Sequence, residues 1–440
     1  MSRPKKEAVA TAVAIPVNAP VIKKSLQIPG LFDILTDTQN FYDVILKKFQ
    51  QQSHVYGFKR LETPPIEDSQ LYRMFYGQSD PRLMNLVEFE SQGKKLSMRP
   101  ELLPSVLRAY AQHKMYEQEL ASKWMYFGST MSLGPKNQFV SDYHLGVEVF
   151  GTFSHLTEAQ TISCMWHLLK GLGLEDLTLE VNHIGESHCQ RNYEEALSSY
   201  FSGKKYDLCD NCIEHLHTRT MNVLRCSNLD CQTVASDAPT ILDFLEEPSR
   251  KHFTNILEAL DEVEIPYQLN PLYVGADGMG KTNCKISYQS KETSDKVVIT
   301  EGGYHDNLMQ RLSGKNWCAF GMQSTISKIA KAMELSMLSM GHEQENEVYL
   351  VPLGELASKK SLRLFRDLTE AKVSVFDQFG DTGVKNQLRL AVESKTPIAL
   401  IMGQKEALDE MVILRDVKSG MQEMFSYDKI INEVKKRLGK

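Results

Sequence analysis

Four cysteines near the middle of the chain have the spacing of a metal site. They form two close pairs that are separated by 13 residues. The four are Cys209, Cys212, Cys226 and Cys231. Four thiolates can complete a tetrahedral zinc site, and its role would be structural because no coordination position stays open. His215 and His217 are close enough in sequence to be alternative ligands, and four reduced, partly buried cysteines are the alternative interpretation.

The overall composition is that of a globular protein with two or three domains. The 440 residues are 42% hydrophobic and 24% charged, which is enough for sizeable cores. A formal net charge of −6 excludes a strongly basic nucleic-acid binder, so any RNA contact must come from a local patch. No apolar run approaches the roughly 20 residues that span a bilayer. We therefore expect a cytoplasmic protein without membrane contact.

The elements that would position these residues fall into several regions. Short strands such as Trp124–Phe127 and Val147–Phe150, without regular strand–helix alternation, predict an antiparallel α+β domain. The predicted regions are a disordered tail at 1–26, the α+β core at 27–183 and 253–340, and a helical insertion with the cysteine cluster at 184–252.

The pattern changes after a polar linker at 341–346. Strands at Val348–Pro352 and Ile398–Met402, with helices at Leu356–Ala371 and Tyr427–Leu438, follow the linker. This alternation predicts a small α/β domain over residues 346–440.

Several segments resemble the histidyl-tRNA synthetases, a family of class II aminoacyl-tRNA synthetases. In the core they are Met98–Glu101, Lys123–Gly128, His144–Gly151, Asp237–Phe244 and Ile265–Tyr267, and in the C-terminal domain Asp381–Leu388 and Leu414–Gly420. The resemblance covers nearly all of residues 27–440. It implies a class II antiparallel-sheet core with a helical insertion, a C-terminal domain like the anticodon-binding domain, and a homodimer. Some members of the family carry similar cysteines in the insertion.

The resemblance also implies three arginines that this chain lacks. Ser132 stands where the family grips the ATP α-phosphate, Gly275 stands in the histidine-recognition loop, and Ile326 stands where an arginine contacts the triphosphate. These arginines offset the repulsion between the histidine carboxylate and ATP, and losing one preorganised donor typically costs roughly 3–4 kcal/mol of transition-state stabilisation. We therefore expect neither ordinary aminoacylation nor productive use of ATP and Mg²⁺.

The residues of this chain that still match the family's site include two acids. Glu101 and Glu148 match carboxylates that, by the resemblance, orient the substrate amine, and His144 stands where the family has a polar glutamine. Two carboxylates without compensating arginines would repel phosphates and favour a cation or an amine. We predict that these three residues bind a substrate, and the alternative is that they hydrogen-bond within a vestigial cleft.

The C-terminal domain would supply the contact with tRNA. Lys385 and Arg389, with other basic residues of this domain, could gather on one face. A solvated helix surface is the alternative. Affinity for tRNA through this domain alone would be modest and steeply salt-dependent.

These observations predict a histidyl-tRNA synthetase-like homodimer that binds tRNA or a protein partner without catalysis. The partner would be another synthetase or an ATP phosphoribosyltransferase. Two alternatives stay open. One is an active histidine–tRNA ligase in which other cations, such as Lys136 or Lys281, reach the phosphates. The other is a regulatory subunit of ATP phosphoribosyltransferase in histidine biosynthesis, and the C-terminal domain counts against it because that group generally lacks one.

Overall fold

The computed structural model describes residues 27–440 except 79, 119–120, 152–153, 217–218, 276–278, 294, 316, 337–346, 378–383 and 394–395. The chain divides into two compact units, and the division falls between residues 338 and 339. The predicted tail and the predicted linker lie outside the described residues.

The strands described in the first unit form one large and one small sheet. They are β1 (Lys59–Leu61), β2 (Ile66–Asp68), β3 (Glu88–Ser91), β4 (Lys94–Met98), β5 (Ala121–Leu133), β6 (Phe139–Gly151), β7 (Leu177–His183), β8 (Tyr267–Leu269), β9 (Gly280–Gln289), β10 (Lys296–Tyr304) and β11 (Ala319–Thr325). The large sheet has the order β1-β5-β6-β11-β10-β9-β7-β8, and the small sheet has the order β2-β4-β3. Only the β1–β5 and β7–β8 pairs of the large sheet are parallel among the described strands. The predicted α+β class with an antiparallel core is confirmed.

The hairpin of β5 and β6 is much longer than the sequence predicted. Its pairing continues past Phe127 and Leu145 to Leu133 opposite Phe139. The extension begins with the polar residues Ser129 and Thr130 in β5, which interrupt the apolar run that predicted the strand. Backbone hydrogen bonds hold a ladder together whatever the side chains are, and they extend the hairpin here.

Helices cover both faces of the large sheet. The α-helices described in the first unit are α1 (Thr36–Val55), α2 (Ser69–Tyr76), α3 (Leu103–Gln112), α4 (His155–Gly171), α5 (Ser187–Ser202), α6 (Asp210–His215), α7 (Leu229–Ser236), α8 (Glu247–Glu262), α9 (Asp306–Ser313) and α10 (Ile326–Leu335). Helix α4 packs against β6, β11, α1 and α8 on one side. Helices α2, α3 and α9 share a core with Tyr126 and Phe150 on the other. No helix among the described residues is sufficiently long and apolar to cross a membrane.

The predicted helical insertion has a small core of its own. Tyr193, Leu197 and Phe201 project from one face of α5 at helical spacing and are buried against Cys212 and Cys231. Helix α8 runs across the predicted end of the insertion at residue 252 and packs on α4.

The second unit is a five-stranded sheet with helices, as far as it is described. Its elements are β12 (Val348–Pro352), α11 (Glu355–Glu370), β13 (Val375–Asp377), α12 (Val384–Glu393), β14 (Ile398–Met402), α13 (Gln404–Leu408), β15 (Met411–Asp416), β16 (Gln422–Ser426) and α14 (Tyr427–Leu438). The sheet order is β13-β12-β14-β15-β16, with the first three strands parallel and the last two antiparallel to their neighbours.

Candidate functional site

Cross-strand pairing places the predicted substrate residues on one face of the large sheet. Residues opposite each other on neighbouring strands point to the same face. Glu148 of β6 is opposite Gly321 of β11, which in turn is opposite Gly303 of β10. Side chains alternate between the two faces along β5, β6, β9, β10 and β11, so the pairing shows which of them share the face of Glu148. We call this surface the site face. Its side chains include Tyr126, Ser132, His144, Glu148, Lys285, Glu301 and Gln323.

Glu148 is the most buried acid of the site face, and the chain's own His305 binds it. The Nδ1 atom of His305 donates to Oε1 of Glu148 at 2.6 Å, with 2% and 0% of the two side chains exposed. Burial raises the pKa of Glu148, and the neighbouring His305 opposes that rise. The second oxygen, Oε2, has no hydrogen-bond partner among the described residues. It lies so close to Gly321 that a Cβ there would be 1.8 Å away, which explains the glycine.

Glu101 and His144 lie near this pair. The hydroxyl of Tyr76 donates to Oε1 of Glu101, so this carboxylate also has an internal partner. Burial lowers the pKa of His144, and the negative charge of Glu101 opposes the decrease. Burial raises the pKa of Tyr126, and the charges of Glu148 and Glu101 raise it further. The structure thus brings the three predicted substrate residues together, and both acids are hydrogen-bonded to the chain itself.

The three positions that lack an arginine differ in the room they offer. Ser132 is partly buried on the site face. Gly275 has a φ of +62°, and a Cβ there would be 2.0 Å from Oδ1 of Asn283. Ile326 begins α10 after the strand of Gly321 and is fully buried. Two of the three positions are therefore closed to a long cationic side chain.

Lys281 and Lys136, considered as substitute cations, are ion-paired and exposed, respectively, and the nearby motif residue Arg99 is held by the backbone. The ammonium of Lys281 lies 3.0 Å from Asp306 and 3.6 Å from Glu186. Lys136 lies at the exposed turn between β5 and β6. Arg99 is buried and donates to the backbone carbonyls of Thr63 and Ser129.

The stretch Gly275–Thr282 has the Gly-x4-Gly-Lys-Thr spacing of a phosphate loop, but the element that begins at its end is a strand. Such a loop needs a helix that begins after it, whose free N–H groups point at the phosphates. Strand β9 begins at Gly280 instead, so no helix N-terminus follows the loop.

The four predicted cysteines do come together. Their sulfur atoms all lie within 4.8 Å of one another, and the Sγ atoms of Cys209 and Cys226 are 3.8 Å apart. Cys212 and Cys231 are buried, whereas the other two are partly exposed. His215 is not part of this group, and His217 lies outside the described residues. The cluster could bind a metal ion.

Lys385 and Arg389 are both exposed on α12. They are four residues apart, so they lie on the same side of the helix. The guanidinium of Arg389 contacts Glu393 at 2.5 Å and Asn386 at 2.7 Å. Their predicted role in RNA binding remains a prediction.

His305 and Tyr76 are residues of the site that sequence reasoning missed. The segment Glu301–Asp306 carried no prediction, and the histidine within it was not singled out. Its position directly after a buried strand and directly before a helix was the available signal, since such junctions direct side chains into clefts. Nothing in the sequence near Tyr76 indicates a partner 25 residues away.

Comparisons with known proteins match almost the whole chain. The family model described as histidyl-tRNA synthetase matches residues 30–329, and the model described as anticodon binding domain matches residues 347–437. A histidine–tRNA ligase of Dehalococcoides mccartyi is 28% identical over 93% of this chain and 99% of its own length. That of Thermosipho melanesiensis is 28% identical over 92% and 97%.

Solved structures show the same fold. The apo histidyl-tRNA synthetase of S. aureus has a TM-score of 0.78 and 22% identity, covering 93% of this chain and all of its own. An ATP phosphoribosyltransferase regulatory subunit/histidyl-tRNA synthetase from Bacillus halodurans has a TM-score of 0.62 and 15% identity, covering 88% and 99%.

Proposed function

We propose that this chain, which belongs to the histidyl-tRNA synthetase family, is a non-catalytic member that binds tRNA and does not activate histidine. The observation that carries the proposal is the closure of two positions where the resemblance implies arginines. Ile326 is fully buried, and Gly275 adopts a left-handed backbone against Asn283. The loss of these cations is therefore built into the packing of the core.

Electrostatics explains why these positions matter. Activation brings the carboxylate of histidine to the α-phosphate of ATP, and preorganised cations stabilise the charge that develops. The site face instead carries Glu148 and Glu301, and Lys285 is paired with Glu180 at 3.2 Å. Lys281 is neutralised by Asp306 and cannot replace a guanidinium fork with its point charge. A triphosphate would meet repulsion here.

Histidine-dependent exchange of pyrophosphate into ATP tests the proposal. We expect a rate at least about 10³-fold below that of the S. aureus histidyl-tRNA synthetase measured beside it, because several donors that are each worth roughly 3–4 kcal/mol are missing and act as a unit. Exchange that depends on histidine would instead support the second candidate function, an active histidine–tRNA ligase, which is the name of the relatives.

Binding of tRNA is assigned to the C-terminal domain, which matches the anticodon binding domain model. Lys385 and Arg389 are the proposed phosphate contacts because both are exposed on one side of α12.

Replacing Lys385 and Arg389 together by glutamate should weaken tRNA binding and lower its salt dependence. Each lost phosphate contact should reduce the slope of log Kd against log salt by about one. Filter binding at several salt concentrations measures both quantities. Lys405→Glu combined with Lys429→Glu, at two other exposed positions of the same domain, introduces the same charge change and should leave the slope nearly unaltered. Equal effects of both changes would argue against a local contact on α12.

The cysteine cluster is proposed to hold a structural zinc ion. Zinc fits a compact set of four sulfur atoms, and Cys209, Cys212, Cys226 and Cys231 would all be ligands. Such a closed site leaves no position for a reactant, so the metal would stabilise the insertion and take no part in chemistry.

The proposal also includes a cytoplasmic homodimer. Phe32, Leu35 and Val55 are large apolar side chains exposed at and beside α1, and a partner subunit would cover them. A regulatory role toward an ATP phosphoribosyltransferase is the remaining candidate. The Bacillus halodurans structure supports this role by its fold alone. Co-purification of this chain with an ATP phosphoribosyltransferase would support the regulatory role directly.

A further inference from the structure

We propose that a cavity between α2, α3 and α9 binds a small, flat aromatic compound that carries an acidic group. Its volume is about 590 Å³, which lies in the range of about 300–1,000 Å³ that is usual for small-molecule sites. Residues of the three helices and of the segments beside them line it. None of its described lining residues belongs to the site face. The cavity is therefore a second site, separate from the one at which histidine activation is proposed to be lost.

The floor of the cavity is apolar. Leu71 of α2 is buried, and Ala111 of α3 and Leu312 of α9 are partly buried against the same core. Met74 borders the cavity from α2, and 38% of this residue is exposed. A methionine side chain is flexible and polarisable, so it can adapt to the outline of an aromatic ring and make favourable contacts with it. These walls favour a ligand whose larger part is an apolar ring.

Arg108 provides a planar surface on which such a ring can stack. Its terminal nitrogens donate to Glu67 at 2.5 Å and to Gln112 at 3.1 Å, and its Nε atom is buried. The protein thus holds the edge of the guanidinium group, whereas 25% of the side chain is exposed. Arginine stacks through its planar face on aromatic rings. Because Glu67 balances its charge, Arg108 favours a flat ring without selecting the charge of the ligand.

Lys315 selects the acidic group. Its ammonium lies 4.7 Å from the centre of the Tyr116 ring, and Tyr116 stacks on Trp317 at 4.5 Å. Lys315 forms no ion pair with any described residue. Asp68, an acid of the cavity lining, accepts from the N–H of Gln70 at 2.9 Å at the N-terminus of α2, where the helix dipole offsets a negative charge. Among the described lining residues, the charge of Lys315 therefore remains for a ligand, and a carboxylate would pair with it.

Calorimetric titration of the full chain with 2-naphthoate tests the proposal. This probe combines a flat apolar ring with one carboxylate, and we expect it to bind at a single saturable site. The matched probe is 2-naphthylmethylamine, which has the same ring and a positive charge. It should bind at least about ten-fold more weakly, because a bond to a charged group is replaced by repulsion from Lys315. Absence of saturable 2-naphthoate binding, or equal or tighter binding of the amine, would overturn the proposal.

Two substitutions show where 2-naphthoate binds. Ala111→Phe fills the floor of the cavity and Lys315→Gln removes the charge, and each should weaken binding at least about ten-fold. The controls are Ala196→Phe, at a partly buried alanine of α5, and Lys94→Gln, at an exposed lysine, and both should leave the affinity unchanged.

Lys315 is exposed, so Lys315→Gln keeps the test valid if Ala111→Phe does not fold. Binding that Lys315→Gln leaves unchanged would mean that 2-naphthoate associates elsewhere on the chain, and it would overturn the proposal. Neither ATP nor histidine is present in these titrations, so their outcome is independent of the pyrophosphate exchange result.

Discussion

Cys212→Ser is expected to abolish zinc binding and to unfold the helical insertion while the large sheet persists. Zinc content should fall from one ion per chain to a small fraction. Hydrogen exchange of the amides in α5, α6 and α7 should accelerate at least about 100-fold, equivalent to about 2.7 kcal/mol. Mass spectrometry of the zinc content and of hydrogen exchange by segment measures both results.

The size of this effect follows from how little else holds the insertion together. Helices α6 and α7 have 6 and 8 residues, and isolated helices shorter than about 12–15 residues are marginal in water. Cys212 and Cys231 are themselves members of the small apolar core. Structural zinc sites supply apparent free energies of about 10–16 kcal/mol, which is folding free energy when the site does not exist in the unfolded chain.

Cys164→Ser is the matched control, because Cys164 is also a buried thiol but lies outside the cluster. It should retain the full zinc content and unchanged exchange in the insertion. Equal exchange in Cys212→Ser and the wild type would show that the four cysteines are ordinary reduced core thiols, which is the alternative interpretation of their spacing.

Much of the fold could be predicted because the pattern of apolar residues in the sequence agrees with the packing of the side chains in the structure. The strands Val348–Pro352 and Ile398–Met402 and the helix Tyr427–Leu438 have the bounds that their apolar runs predicted. The cysteine cluster was also predictable, since ligand spacing is a local property of the chain. The extension of the β5–β6 hairpin was not, because pairing there depends on backbone hydrogen bonds.

The candidate site was predictable in its residues but not in their partners. The resemblance identified Glu101 and Glu148, and the structure places both near the site face. Which groups form hydrogen bonds with them depends on contacts across 25 residues to Tyr76 and 157 residues to His305. No local pattern records such contacts. The alternative interpretation of a cleft hydrogen-bonded to itself matches this geometry, since each acid has a partner from the chain.

Restoring the missing arginines is expected to destabilise the protein without restoring activity. Ile326→Arg places a guanidinium at a fully buried position, and an unpaired buried charge costs about 3–5 kcal/mol. Gly275→Arg forces a side chain onto a φ of +62° and into Asn283, whose own amide donates to the carbonyl of Lys281 at 3.2 Å. Urea unfolding measures the loss for each variant, and pyrophosphate exchange tests the triple variant.

The third position, Ser132, distinguishes two explanations for the missing activity, which are steric closure of the site and the loss of a positive charge alone. Ser132→Arg should be tolerated within about 0.5 kcal/mol, because Ser132 is only partly buried on the hairpin. Ile326→Met, which keeps the volume and the apolar character, should cost less than about 1.5 kcal/mol. A triple arginine variant as stable as the wild type and active in exchange would mean that the cleft had lost only its cations. If only the arginines at positions 275 and 326 destabilise the protein, the core is packed around the smaller residues that stand there. Single substitutions to arginine then cannot restore catalysis.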